Sequence, residues 1–224
     1  MKLSHRITHL TPSGSDGWEV FYRARALKVA CQAVVELTIG EHDIRTHASI
    51  LAAMNDSAMD GHTGYSSVPG TPSLRQAVAT RIQTRTGVAT GPENILITPG
   101  GQAALFAAHN AVCDEGDVAL YVDPYYATYP GTIRGVGAIP KAIPAYPENG
   151  FQPRVKDLDK HAKGATSLLI NTPNNPTGAV YSSATLDGIA TVCKTHDLWL
   201  ISDEVYDTQL WDGEHISPRA LPNM

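Results

Sequence analysis

The chain has 224 residues, 42% hydrophobic and 17% charged, enough to bury a core as one domain or as one domain plus a fragment. Its net charge of -5 and pI near 5.9 leave no basic footprint, which argues against nucleic acid or acidic membrane surfaces as partners. Three widely spaced cysteines, Cys31, Cys113 and Cys193, show neither CxxC spacing nor a ligand-like cluster, so they read as small buried apolar residues of a reducing cytoplasm.

Charge interrupts any apolar run in Met1 to Ile7, so no secretory signal is expected, and no apolar stretch reaches membrane-spanning length. The segment Thr11 to Gly17 is loop-like, and Trp18 to Ala30 reads as an amphipathic helix of an N-terminal arm. Val34 to Ile39 is a short strand-like run that stops at Gly40-Glu41. A helix fits Thr46 to Met59, a glycine- and proline-rich loop follows from Gly61 to Pro72, and Leu74 to Thr84 is helical again.

From there the pattern alternates. Apolar runs at Ile95–Thr98, Val118–Val122, Ile139–Ile143, Ser167–Ile170 and Leu198–Ile201 are separated mostly by helix-length segments. Such alternation predicts an α/β fold, a mainly parallel sheet with helices on both faces. The distinctive polar groups fall after these runs: Gly100-Gly101-Gln102, Asp123-Pro124-Tyr125-Tyr126, Asn171 to Gly178, and Asp203 to Tyr206. Ligands of open parallel sheets bind beyond the carboxyl ends of the strands, so four strand ends are expected to face one crevice.

Each group has a chemical use beside a plainer one. The Gly100-Gly101-Gln102 turn can present helix-start amides to a phosphate, or can need glycine for a tight turn alone. Tyr125 or Tyr126 can stack on a planar cofactor or simply pack in the core. Two prolines in Asn171-Thr172-Pro173-Asn174-Asn175-Pro176-Thr177-Gly178 stiffen a loop whose amide side chains can donate hydrogen bonds, and here the functional reading is favoured. Asp203 can pair with a protonated pyridine nitrogen or cap a helix, and Tyr206 can bind a ring oxygen or pack. The loop Tyr65 to Arg75 leads into a helix that Thr71-Pro72 suits as cap and first turn. The nine histidines have neither HxxH nor HExxH spacing, so no metal site is expected. No G-x-S-x-G elbow appears.

Taken together, these segments resemble the class I/II aminotransferases of the aspartate aminotransferase fold, which depend on pyridoxal 5'-phosphate. The likeness runs from Leu37-Thr38-Ile39-Gly40-Glu41 through Tyr65 to Arg75, Gly100-Gly101-Gln102, Pro124-Tyr125-Tyr126 and Asn174 to Gly178, ending at Ser202 to Tyr206. The resemblance implies that Asp203 pairs with the pyridinium nitrogen, and that Asn175 and Tyr206 bind the ring's phenolic oxygen. It implies that Tyr126 stacks on the ring, and that the Gly101 and Gln102 amides hold the phosphate. Tyr65 would reach the partner subunit's cofactor across a homodimer, while Gly40, together with Asn175, would lie near the substrate carboxylate. An amino acid and a 2-oxo acid are the implied substrates. The Trp18–Ala26 and Asp212–Pro218 segments are similar to the branch that contains arginine–pyruvate transaminases.

That resemblance divides the chain into residues 1–45, an arm and the start of a small domain, and 46–224, the first part of a large cofactor-binding domain. The family's Schiff-base lysine sits in an S-x-S-K-like stretch, and none of Lys2, Lys28, Lys141, Lys156, Lys160, Lys163 and Lys194 has that context. The 224 residues are therefore expected to be roughly the first half of an enzyme, inactive alone. The family's later strands, which lie between Ile95–Thr98 and Leu198–Ile201, would be missing, separating the Gly100-Gly101 turn from Asp203. A pyridoxal-phosphate lyase on the same scaffold and a catalytically inert fragment stay open as alternatives.

Overall fold

Residues 1–11, 18–222 and 224 are described by the computed structural model, so the loop expected over 11–17 lies, apart from Thr11, outside them. The chain forms two compact units, residues 15–71 and residues 1–14 with 72–224.

Within residues 1–14 and 72–224, the helices are α1 (His5–Thr8), α4 (Pro72–Thr86), α5 (Gly101–Val112), α6 (Tyr129–Gly135), α7 (Val155–Ala162) and α8 (Ser183–His196). The strands are β1 (Val118–Asp123), β2 (Ile139–Pro144), β3 (Ala165–Asn171) and β4 (Trp199–Asp203). They make one parallel sheet in the order β2-β1-β3-β4. β1 and β3 are central, and their near-continuous apolar sequences follow from burial on both faces: Ala119 to Val122 and Ser167 to Asn171 are buried throughout. β2 and β4 flank them and alternate or open toward solvent.

Two cores sandwich the sheet. Leu120, Leu168, Ile170, Leu158 and Leu186 form one with α7 and α8. Leu105, Ala119, Tyr121, Ile133 and Leu169 form the other with α5 and α6. Each fully buried leucine or isoleucine contributes about 1.5–3 kcal/mol through removal of its apolar surface from water. From β1 the chain steps outward to β2, then returns across the sheet to β3 and continues away to β4. The direction therefore reverses between β1 and β3, which opens a crevice beyond their carboxyl ends.

Two expected strands do not form. Ile95–Thr98 runs without a ladder partner among the described residues, held instead by Arg75, whose Nε donates to the Ile95 carbonyl at 3.0 Å. α5 nonetheless packs against β3 and β4, so helix packing, not a neighbouring strand, holds the Gly100–Gly101 turn to the sheet. Val34–Ile39 also lacks a ladder, with Val35 86% and Leu37 89% exposed. Apolar alternation favours an extended chain, but a strand exists only where a second backbone supplies hydrogen bonds.

The unit of residues 15–71 carries α2 (Glu19–Val29) and α3 (Ala48–Met59). α2 forms where the periodicity predicts it, yet of its residues only Ala24 is buried, so the expected apolar stripe is left uncovered. Its C-terminal side holds Glu36 through Lys28, 2.7 Å away. α3 is capped by His47, whose imidazole accepts the Ser49 amide at 3.3 Å, and none of the helix's residues is buried. Among the cysteines, Cys113 and Cys193 are buried as expected, whereas Cys31 is exposed in a left-handed turn at φ 56. No described helix is long and apolar enough to cross a membrane, and the described residues contain no cluster of three or more metal-ligating side chains.

Candidate active site

Beyond the reversal of the sheet, side chains from three strand ends meet. Asn171 and Asp203 face each other in register at the ends of β3 and β4. The Asn171 side chain ties them: its Nδ2 donates to the Asp203 carbonyl at 3.0 Å, and its Oδ1 accepts the Asn175 amide at 2.7 Å. The Thr172 amide also donates to the Asp203 carbonyl, at 3.2 Å.

The loop after β3 is closed by Asn174. Its Oδ1 accepts from the Thr177 amide at 3.1 Å and the Thr177 hydroxyl at 2.7 Å, while its Nδ2 donates to the Pro124 carbonyl after β1 at 3.3 Å. Asn174 thus serves the loop's shape, and Asn175 is the residue turned toward the strand ends. The Asn175 Nδ2 donates to the Tyr206 Oη at 3.2 Å. One amide hydrogen of Asn175 and the hydroxyl hydrogen of Tyr206 remain to be given to a third atom, so the pair can bind a single electron-rich oxygen.

Asp203 lies three residues before Tyr206. Its Oδ2 accepts a hydrogen bond from the Tyr129 hydroxyl at 2.8 Å, and its Oδ1 accepts the Val205 amide at 3.2 Å. Each oxygen keeps a lone pair for a cationic donor. Tyr129 itself is buried, and its phenol is pushed far above the usual range, chiefly by loss of water and secondly by the neighbouring Asp203 charge. It therefore stays protonated and can only donate to the carboxylate. The sequence reading missed Tyr129. The available signal was its i+3 position after Tyr126, but no local pattern links it to a residue 74 positions away.

The two tyrosines after β1 separate in role. Tyr125 packs edge-on against Tyr121 at 4.8 Å in the α5–α6 core, whereas Tyr126 lies edge-on to Tyr129 at 5.9 Å, half-buried beside the carboxylate's donor. Burial raises the Tyr121 phenol to about 12.

On the opposite side, α5 begins at Gly101 behind Gly100, whose φ of 88° only glycine adopts readily. The amides of Gly101 and Gln102 fall in the first turn, where no intrahelical acceptor exists, at the positive end of the helix dipole. A Cβ on either Gly100 or Gly101 would meet no atom within 4 Å, so the approach to these amides is open. The Gln102 side chain is engaged elsewhere: Oε1 accepts from Thr128 at 2.7 Å and Nε2 donates to Thr132. This joins the start of α5 to α6, the helix that carries Tyr129.

Gln102, Tyr126, Asn175, Asp203 and Tyr206 are thus linked through α6 and the β3 loop. Gly40 and Tyr65 belong to the unit of residues 15–71 and are exposed there. Lys141 lies within β2, Lys156 and Lys160 in α7, and Lys194 in α8; Lys2 precedes α1, Lys28 is in α2 and Lys163 follows α7. None stands at the carboxyl end of β1, β3 or β4.

Comparison with known proteins gives a consistent picture. The model of the family described as Aminotransferase class I and II matches residues 32–221. An arginine–pyruvate transaminase of Pseudomonas aeruginosa is 36% identical, across 100% of this chain and 57% of its own length. An aspartate/prephenate aminotransferase of Thermus thermophilus is also 36% identical, across 98% of this chain and 57% of its own. Among solved structures, the Thermus thermophilus aspartate aminotransferase with maleate superposes with a TM-score of 0.93 at 34% identity, over 99% of this chain and 58% of that one. The Pyrococcus furiosus alanine aminotransferase gives a TM-score of 0.91 at 30% identity, over 98% of this chain and 56% of that one. The chain spans little more than half the length of these relatives.

Proposed function

This chain belongs to the class I and II aminotransferase family, and from that premise we propose that its protein moves an amino group between an amino acid and a 2-oxo acid with pyridoxal 5'-phosphate as cofactor. The observation that carries the reading is the pairing at adjacent strand ends: Asn175 with Tyr206, and Tyr129 with Asp203. Two remaining donors and one carboxylate match the oxygen and the protonated nitrogen of a pyridinium ring, and the donor set fits that cofactor.

When bound, pyridoxal phosphate supplies the electron sink for amino-acid chemistry. The chain's own residues hold and tune it. Asp203 keeps the ring nitrogen protonated, because an ion pair in a partly buried site stabilises the charged form. Tyr129 holds one oxygen of that carboxylate. Asn175 and Tyr206 donate to the ring's phenolic oxygen. Tyr126 stacks on the ring face, and the Gly101 and Gln102 amides take the phosphate at the α5 dipole. Asn175 also serves the substrate carboxylate, and Tyr65 serves the partner subunit's phosphate in a homodimer. The amine that forms the covalent link and carries the proton comes, in this proposal, from outside these 224 residues. The location of the seven lysines and the 57% coverage of the relatives support that part.

Asp203→Ala in the full-length protein tests the proposal. Amino transfer from donor to 2-oxo acid is expected to fall by at least about 10²-fold, since a preorganised electrostatic partner contributes on that order. Unchanged transfer would refute the role of Asp203. Pyruvate and ammonia released without any amino acceptor would replace the transferase with a lyase.

A further inference from the structure

Arg81 and Arg85 stand one turn apart on α4, a spacing at which two like charges repel. Both converge on Asp207. Arg81 Nη2 lies 3.0 Å from Oδ1 and 2.8 Å from Oδ2, and Arg85 Nε lies 3.3 Å from Oδ2. A second Arg85 nitrogen, Nη2, donates to the Asp207 carbonyl at 2.9 Å. One helix therefore grips both the side chain and the backbone of a residue more than a hundred positions away.

Asp207 directly follows Tyr206, in a tight turn. Its amide donates to the Glu204 carbonyl at 3.0 Å, and the Gln209 amide donates to the Tyr206 carbonyl at 2.8 Å. The other end of that turn is held as well: His215 Nε2 lies 2.8 Å from Glu204 Oε2, and the Ser217 hydroxyl donates to Oε1 at 3.1 Å. Tyr206 sits between the two anchors. Among the described residues its hydroxyl has one partner, Asn175, at 3.2 Å. A single long side-chain bond does little to fix a phenol, so the placement of its backbone decides where that hydroxyl points.

We propose that Asp207, gripped by Arg81 and Arg85, is a positioning residue that aims the Tyr206 hydroxyl at the ring oxygen. The proposal rests on the reading of Tyr206 given above. The arginines are partly exposed, Arg81 by 51% and Arg85 by 36%, so water and salt reach the clamp. What makes it effective is geometry: one Arg81 nitrogen bridges both carboxylate oxygens, and two Arg85 nitrogens hold the carboxylate and the backbone carbonyl, so the turn is restricted in more than one direction.

The experiment uses the full-length protein with Asp207→Asn, with Arg81→Ala/Arg85→Ala in case the first fails to fold, and with Asp207→Glu as the conservative rescue. In the cofactor-free protein, amide hydrogen exchange at Asp207 and Gln209 is expected to quicken about tenfold in Asp207→Asn, and to return toward wild type in Asp207→Glu. In the loaded protein, the pH midpoint of the cofactor's visible absorbance is expected to move in the same direction as in Tyr206→Phe. The two shifts are expected not to add in the double variant, because both act through one hydroxyl. A lowered melting temperature with unchanged exchange at the turn and an unchanged midpoint would overturn the proposal, as would full additivity with Tyr206→Phe. If Tyr206→Phe itself left the midpoint unmoved, the reading of Tyr206 would fall, and the positioning role with it. If Tyr206→Phe moved it and Asp207→Asn did not, the positioning role alone would fall.

Discussion

Replacing Tyr129 with phenylalanine removes one oxygen from the interior and little else. The ring stays packed beside Tyr126 and Ile133, but Asp203 Oδ2 loses a 2.8 Å donor. A hydrogen bond to a charged group contributes about 1.5–3 kcal/mol, and leaving a buried acceptor unmet costs its desolvation. Asp203 is only half-buried, so water can partly replace the phenol, which places the expected loss at the low end, about 1.5 kcal/mol. Urea unfolding of the cofactor-free full-length protein measures it. A cycle with Asp203→Ala then isolates the pair, with an expected coupling of about 1 kcal/mol. The pH dependence has a defined sign. A phenol whose folded pKa is raised contributes stability fully present below the free value near 10 and lost as pH rises beyond it. Wild type is therefore expected to lose stability relative to Tyr129→Phe by up to about 1.4 kcal/mol per pH unit above pH 10. Tyr121, raised to about 12 by burial, is common to both proteins and cancels in the difference. A coupling below about 0.3 kcal/mol, or parallel pH profiles, would refute the assignment of Tyr129 as the carboxylate's donor.

Gly100→Ala is expected to cost about 1–3 kcal/mol, measured by chemical unfolding, because φ of 88° is strained for any residue with a Cβ while the added methyl meets nothing. A neutral result would mean that the turn before α5 relaxes without its glycine. The 224-residue chain by itself is expected to show no amino transfer with any donor and 2-oxo acid. Sustained turnover by the purified chain would show that its own lysines suffice.

The strands illustrate what is legible along the chain. Val118–Val122, Ile139–Ile143, Ser167–Ile170 and Leu198–Ile201 all lie in or at the edge of observed strands; the two central ones are covered on both faces and need apolar residues at nearly every position, while the two flanking ones alternate or open toward solvent. Val34–Ile39 and Ile95–Thr98 have similar sequences and no ladder among the described residues, since pairing depends on a backbone elsewhere that the segment does not encode. The same division runs through the site. Asn175, Asp203 and Tyr206 stand out in sequence because amides, acids and phenols after apolar runs have few uses there. The residues alone leave Tyr125 and Tyr126 equivalent, and the family resemblance singles out Tyr126; the structure sets one against Tyr121 and the other against Tyr129.

By itself, the sequence determined the alternating α/β architecture, the family, and the residue types that line the strand ends, all properties written in local periodicity and short motifs. The tertiary structure alone decided which of those residues touch. Tyr129 meets Asp203 across 74 positions, and Arg81 meets Asp207 across 126. Such pairs arise where the sheet reverses direction and helices converge on its ends, and no window along the chain is long enough to contain them.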